Sequence, residues 1–394
     1  MGLLSNLDWD SLFSYQTIKI VRIRDRRLGI LHLSFLVAII LYILIFTILL
    51  QKKYLAIESP IGSIRTSLMA PQNRAGNLSY CSQTQPSFNG YENKPCRWWD
   101  EYLVLYPPSE ESAMFISTRV TQENQTTVNN CDLSTPSCVY TTNSSIEFYV
   151  ANVEDFTILL DHTLSAPTLG IQYNAFQLNG ELLGPDGNPI TLPAPNVVGI
   201  KNQPDILTLQ GILTAAGIGS LDQQALANTS RSIRDDGILL LCFITYSNMY
   251  TYSTANYHYT YQFKLVQDTK FKVEEPVFLD NVIHRIILDR HGVRIIFIQT
   301  GQLGQFDFQT TLLTFVSGIG LVTVATFVVD FIAVRLLPQK ERYTELKYQD
   351  SQVNIIDEDQ QPTNNDSDDD DDDNIKKSLI DNDHYQRRPT NQNQ

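Results

Sequence analysis

Leu28 to Leu50 reads LGILHLSFLVAIILYILIFTILL, an apolar run without a charged side chain. His32, Ser34 and Thr47 are its main polar exceptions. At about 1.5 Å per residue, a helix of that length crosses a hydrocarbon core of about 30 Å. A second run, Leu312 to Leu337 (LLTFVSGIGLVTVATFVVDFIAVRLL), carries two charges, Asp330 and Arg335. Two such runs in 394 residues predict two transmembrane helices holding one large domain between them. The first run is longer than the roughly 7–15 apolar residues of a signal peptide. Gln51, Lys52, Lys53 and Tyr54 follow it where small cleavage-site residues would stand, so it reads as an uncleaved anchor.

Orientation follows from the basic residues at the helix ends. Lys19, Arg22, Arg24, Arg26 and Arg27 precede the first helix, and only Lys52 and Lys53 follow it. Arg335, Lys340, Arg342 and Lys347 lie at the far end of the second, whereas Gly301 to Thr311 before it hold no base. The chain therefore divides into a cytosolic N-terminus (1–27), a first helix (28–50), an extracellular or lumenal segment (51–310), a second helix (311–337) and a cytosolic tail (338–394). All five cysteines fall in the middle segment. Cys81, Cys96, Cys131 and Cys138 are disulfide candidates with three possible pairings, and Cys242, in the apolar run Ile238 to Thr245, reads as a buried free thiol. Four glycosylation sequons, at Asn77, Asn124, Asn143 and Asn228, lie in the same segment.

The net charge of −14 is concentrated in the tail, where residues 348–394 hold 13 acids and 4 bases. Seven Asp stand between Asp366 and Asp373. This polar, acidic composition predicts disorder, and it gives no argument for a nucleic-acid partner. The basic stretch before the first helix suits an anionic lipid leaflet.

The middle segment reads as β-rich: Phe148–Val153, Phe156–Leu160, Ile238–Tyr246, Tyr250–Phe263 and Val293–Thr300 are predicted strands. Gly184-Pro-Asp-Gly187 is a turn signal, and Asp235-Asp-Gly237 is placed to open the strand at Ile238. Helical periodicity is scarce there. No phosphate-binding loop, dinucleotide fingerprint, zinc spacing or Gly-x-Ser-x-Gly occurs, so no enzyme, cofactor or metal reading follows. Asp161-His162 is not a catalytic pair, because neighbours on a strand point to opposite faces.

Asp330 is the informative residue of the second helix. A carboxylate at membrane depth costs about 2.5–3.5 kcal/mol on insertion scales, so it must face a partner, a bundle interior or water. Ser317, Gly320, Thr323 and Val324 lie near one helical face. Two readings stay open: close helix packing, and a water-lined pore wall made by several copies of this helix.

Several stretches together resemble the ionotropic purinoceptors, a family of ATP-gated channels, and in particular their social-amoeba branch. Tyr15-Gln-Thr17-Ile-Lys19 is similar to the family's cytosolic Tyr-x-Thr-x-Lys. Asp155-Phe-Thr157-Ile-Leu159-Leu-Asp161-His162 resembles its Asn-Phe-Thr-x-x-Ile-Lys-Asn, and His291-Gly-Val-Arg294 its Tyr-Gly-Ile-Arg. Gly301-Gln-Leu-Gly304-Gln-Phe306-Asp307 is similar to the Gly-x-x-Gly-x-Phe-Asp that leads into the second helix. Asp330 matches the membrane Asp, and Tyr343-Thr-Glu-Leu-Lys347 the Tyr-x-x-x-Lys trafficking motif.

The resemblance implies two transmembrane helices flanking a large β-rich ectodomain in a homotrimer. It implies ATP bound between subunits, opening a non-selective, calcium-permeable cation pore lined by second helices, with Ser317, Gly320, Thr323 and Asp330 as pore residues. It also implies a membrane location, on internal contractile vacuoles by the amoebal likeness or else on the plasma membrane. The sequence departs from the family at the phosphate-binding cations. The paired lysines after the first helix fall on Ser67 and Met69, a third falls on Asp289, and Asn-Phe-Arg reads Gln262-Phe-Lys264. The ATP ligands carried over are Lys264, Arg290, Thr157, Leu159, Gln262 and Arg65. The substitutions leave a second reading: a non-conducting subunit that assembles with related ones.

Overall fold

The computed structural model describes residues 25–73, 76, 78–81, 91–225, 231–249, 254–279, 281–338 and 340–347. The N-terminal motif around Tyr15, the sequons at Asn77 and Asn228 and the acidic tail lie outside these residues. The first membrane helix, α1, runs from Arg26 to Leu50. Asp25 caps it by accepting from the Arg27 amide at 2.8 Å, and wider turns continue it from Tyr42.

Beyond α1 come β1 (Leu55–Glu58), β2 (Ile64–Met69), β3 (Cys96–Arg97) and the short α2 (Glu101–Val104). Next are β4 (Ala113–Thr127), β5 (Tyr140–Val150), β6 (Thr157–Ala166), β7 (Ile171–Asn174), β8 (Asn179–Leu183), β9 (Pro189–Ile190) and β10 (Asp205–Thr208). The short helices α3 (Leu209–Ala215) and α4 (Ile233–Asp236) follow. Then come β11 (Ile238–Ser247), β12 (His258–Val266), β13 (Lys272–Phe278) and β14 (His284–Phe306). The second membrane helix, α5, spans Phe308–Arg335. The part of the chain from Asp330 onward forms a separate unit: the last turns of α5 and, after a turn, α6 (Lys340–Lys347), which carries the Tyr343 motif.

Two sheets face each other. The larger has ten strands in the order β3-β5-β4-β14-β11-β12-β8-β9, with β1 and β13 also paired to β14. The smaller runs β10-β6-β2, with β7 paired to β6. Alternation along each strand explains the layering. On β6, Ile158, Leu160, His162, Leu164 and Ala166 point inward, and on β11, Ile238, Leu240, Cys242, Ile244 and Tyr246 do. Tyr259, Tyr261 and Phe263 of β12 complete the inner wall. Each fully buried large side chain of this set contributes about 1.5–3 kcal/mol of transfer free energy. Strand β14 is the spine: over 23 residues it pairs with β13, β4, β11 and β1, then enters α5 through Asp307.

Several expectations meet small corrections. The strand expected over Phe148–Val153 ends at Val150, because Asn152 takes a left-handed conformation (φ 58°) and Val153–Asp155 makes a single helical turn. The one expected over Phe156–Leu160 starts at Thr157 and continues to Ala166, with Asp161, Thr163 and Ser165 facing out and His162 facing in. The one expected from Tyr250 starts at His258 among the described residues. Gly237 ends α4 with φ +72°, where a Cβ would strike the backbones of Gly292 and Phe271, so only glycine opens β11 here. The second membrane helix starts a turn earlier than the apolar count, since Asp307 accepts from the Thr310 amide at 2.7 Å and its hydroxyl at 2.6 Å. Of the three possible pairings, Cys81–Cys96 and Cys131–Cys138 are the ones formed, and Cys242 is a buried free thiol.

Candidate functional site: outer sheet faces and paired membrane helices

The residues proposed to meet ATP divide between two surfaces. Arg65 and Ser67 on β2 and Thr157 and Leu159 on β6 share the outer face of the small sheet. Register sets Arg65 opposite Asp161, Ser67 opposite Leu159 and Met69 opposite Thr157. Gln262 and Lys264 lie on β12, opposite Phe243 and Leu241 of β11. Their neighbours Tyr261 and Phe263 are buried, so both point to the outer face of the large sheet.

The inner faces of the two sheets are in direct contact. The His162 ring packs edge-on against Tyr246, Tyr259 and Tyr261, with centroids 4.7–5.5 Å apart, and its Nδ1 lies 2.7 Å from the Tyr246 hydroxyl. Tyr259 and Tyr261 donate their hydroxyls to Asp205 of β10 at 2.6 and 2.8 Å. Burial raises the Asp205 pKa although three hydrogen bonds oppose it. Facing sheets stand about 10 Å apart. The Thr157–Leu159–Arg65 group and the Gln262–Lys264 group therefore point in opposite directions from one sandwich.

The two candidate cations of the large sheet differ in kind. Lys264 is exposed, its ammonium 5.9 Å from the Phe243 ring centroid, and among the described residues it has no ion pair. Arg290 is 3 % exposed. Its Nε donates to Glu275 at 2.8 Å, a second nitrogen pairs with the same carboxylate, and Nη1 donates to the Leu103 carbonyl at 2.6 Å. Trp99 and Tyr106 lie within 5.0 and 5.2 Å of the guanidinium. Arg290 would have to leave Glu275 to reach a phosphate. Asp289, where the family has a lysine, stands 3.8 Å from Lys272 and 3.6 Å from His291.

A hollow of about 410 Å³ opens beside Leu159 and Asp161, closed by Asn174, Phe176 and Gln203. Phe176, 47 % exposed, sits on a helical turn with a reciprocal cap at its N-terminus: the Phe176 amide donates to the Asn174 side chain at 2.8 Å and the Asn174 amide to the Gln177 side chain at 3.1 Å. Asn174 also donates to Asp161 at 3.1 Å. Sequence reasoning passed over these residues, although Asn174-Ala-Phe-Gln177 has the capping-box pattern. Asp161 is half-exposed and His162 is buried, so the adjacent pair faces opposite ways.

Helices α1 and α5 pack antiparallel. The Thr314 hydroxyl reaches the Lys53 carbonyl at 3.1 Å, a Cβ on Gly318 would meet Ile43 Cδ1 at 2.5 Å, and His32 lies 3.4 Å from Thr326. The small residue at 318 is what lets the helices approach. Gly318, Ala325 and Val329 form the buried stripe, whereas Gly320 and Thr323 lie on the opposite side of the helix, exposed. Ser317 lies at the edge, its hydroxyl bonded to the Leu313 carbonyl at 2.8 Å. Asp330 lies in the C-terminal unit, on the same helix. Of the two described sequons, Asn143 is exposed and donates to Thr126 at 2.9 Å, and half-buried Asn124 donates to Ser144 at 3.0 Å. No metal-ligating cluster occurs among the described residues.

The family model described as the ATP P2X receptor matches residues 13–149 and 244–350. P2X receptor E of Dictyostelium discoideum is 72 % identical over 351 residues, covering 89 % of this chain and 90 % of that protein. P2X receptor A of the same organism is 46 % identical over 349 residues, covering 87 % and 92 %. The solved structure of an invertebrate P2X receptor from the Gulf Coast tick, obtained in the presence of ATP and Zn²⁺, superposes with a TM-score of 0.52 at 13 % identity. It covers 77 % of this chain and 99 % of that one.

Proposed function

The chain belongs to the P2X receptor family, membrane proteins that are ATP-gated cation channels and not enzymes, and from that premise we propose a trimer gated by ATP held between neighbouring subunits. The observation that carries the intersubunit site is the opposed direction of the two ligand groups. Arg65, Thr157 and Leu159 of one subunit meet Gln262 and Lys264 of the next. The base lies by Thr157 and Leu159, in reach of the hollow lined by Phe176, and the triphosphate lies towards Lys264 and Arg65. Phosphate oxygens need fixed donors, and exposed Lys264 is the better supplied of the two large-sheet cations.

In this reading three copies of α5 line the pore with the side turned away from α1, so that Gly320 and Thr323, with Ser317 at the margin, face the ions and Asp330 favours cations. Calcium permeates. Both termini are cytosolic, the β-rich segment is lumenal or extracellular, Asn143 carries glycan, and the membrane is that of the contractile vacuole. Fewer basic residues than the family pattern, with Ser67, Met69 and Asp289 at its lysine positions, favour a weak nucleotide site. They also support a second reading, a subunit that conducts only in mixed trimers with its relatives.

A cysteine pair tests the site. Arg65→Cys with Lys264→Cys should form a disulfide that raises the mass on a non-reducing gel to dimer and trimer, and ATP should slow its formation. A purely intrachain product would refute the intersubunit arrangement. Recording from purified trimers in a bilayer tests the gating: no current at millimolar ATP would refute the homotrimeric reading, and current regained with a related subunit would establish the second.

A further inference from the structure

We propose that the groove between α1 and α5 of one subunit is a phospholipid seat, with the lipid phosphate on Lys53 and an acyl chain along the cleft below it. The groove encloses about 370 Å³ and is lined by Tyr42, Ile43, Thr47, Lys53, Leu313 and Leu321 among others. That volume lies in the range of built small-molecule sites, about 300–1,000 Å³.

The chemistry of the lining argues for an amphiphile with a phosphate at one end. Lys53 stands three residues beyond the last residue of α1, at the level where a helix of this length leaves the hydrocarbon for the headgroups. Its ammonium has no ion pair or hydrogen bond among the described residues. The nearby carboxylate of Asp307 turns to the amide and hydroxyl of Thr310, and the adjacent Lys52, a second cation, donates to the Met249 carbonyl. An unmatched ammonium at headgroup level is a donor for a phosphate oxygen.

Below Lys53 the groove offers apolar surface. The Ser317 hydroxyl turns back onto the Leu313 carbonyl at 2.8 Å, and that of Thr314 is held between the Thr310 and Lys53 carbonyls at 3.0 and 3.1 Å, so neither hydroxyl is left free in the cleft. Leu313 and Leu321, 67 % and 41 % exposed, form its wall, and the Gly318–Ile43 contact closes its floor. Polar head above and apolar trough below match a phospholipid end to end. A neutral glyceride would fill the trough but leave Lys53 without a partner.

Native mass spectrometry of the delipidated full-length protein tests this with phosphatidylglycerol, phosphatidylcholine and diacylglycerol added separately. The wild-type protein should retain both phospholipids above diacylglycerol by about fivefold, the effect of one exposed ammonium–phosphate pair. Lys53→Gln should abolish that preference, and Lys53→Arg should restore it. Leu321→Phe, which fills the groove without touching the cation, should lower retention of all three lipids. Equal retention of phospholipid and diacylglycerol by the wild-type protein, or an undiminished preference in Lys53→Gln, would overturn the proposal. Loss of all lipid from the wild-type protein, as expected if a neighbouring subunit covers the groove, would overturn it too.

Discussion

Replacing Lys264 and Arg290 in turn separates a cation that is free to bind ligand from one that holds the fold. Lys264 is exposed, lies 5.9 Å from the Phe243 ring, and has no ion pair among the described residues. Lys264→Ala should therefore leave melting within about 0.5 kcal/mol of the wild-type protein, as surface changes do. A hydrogen bond to a charged group contributes about 1.5–3 kcal/mol, and the exposure of Lys264 argues for the lower end. Since about 1.4 kcal/mol is tenfold in an equilibrium constant, the half-activating ATP concentration should rise about tenfold. Arg290→Met has the opposite profile. It strands Glu275, whose side chain is 22 % exposed, and removes the donor to the Leu103 carbonyl. Breaking a buried pair costs about 3–5 kcal/mol, and the partial exposure of Glu275 lowers this to about 2–4 kcal/mol. At about 2–4 °C per kcal/mol for a domain of roughly this size, the melting temperature should fall by roughly 4–16 °C. ATP concentration–response curves in reconstituted bilayers and melting in detergent measure the two effects. An unchanged ATP response in Lys264→Ala would refute the phosphate assignment. Normal melting in Arg290→Met, combined with a shifted ATP response, would reverse the roles given to the two residues.

Three further outcomes follow from buried groups. Arg234 is fully buried, donates to both oxygens of Asp222 at 2.7 and 2.8 Å, pairs with Glu154 and stacks 3.7 Å from the Tyr80 ring. Arg234→Met should cost about 3–5 kcal/mol, read as a fall of roughly 6–20 °C in melting temperature; a fall under about 2 °C would contradict the network's structural weight. Burial depresses the His162 pKa to about 3. The unfolded chain protonates this ring below about pH 6.5 and the folded protein does not, so its contribution is complete above pH 6.5 and is lost as pH falls towards 3. Denaturant midpoints of His162→Phe should fall less steeply with acid than those of the wild-type protein, by up to about 1.4 kcal/mol per pH unit; parallel slopes would exclude the ring as the source. Cys242 is buried and the other cysteines are paired. Maleimide should add no label to the native protein, one after denaturation without reductant and five with it, and intact-mass measurement of label on the native chain would contradict the buried thiol.

The two membrane helices and the β-rich domain between them were legible in the linear chain because each depends on local composition. A run such as Leu28–Leu50 needs no knowledge of its neighbours to exclude water, and the alternation in β11 marks its buried face wherever that face ends up. That Asp161 and His162 face opposite ways was legible for the same reason, since a strand separates neighbours by its own geometry. The order and spacing of the short motifs carried the family. Disulfide pairing was not readable, because four cysteines allow three pairings until the chain brings Cα atoms to within 5.2 and 5.7 Å. Nor could the sequence distinguish Arg290 from Lys264: both are basic residues on strands, and only the packing of β13 and α2 around Arg290 gives one an internal carboxylate and leaves the other in solvent. The opposed direction of the two ligand groups likewise needed the sandwich itself. It arises where the His162 ring meets three tyrosines of the facing sheet, contacts between residues more than eighty positions apart that no local pattern encodes.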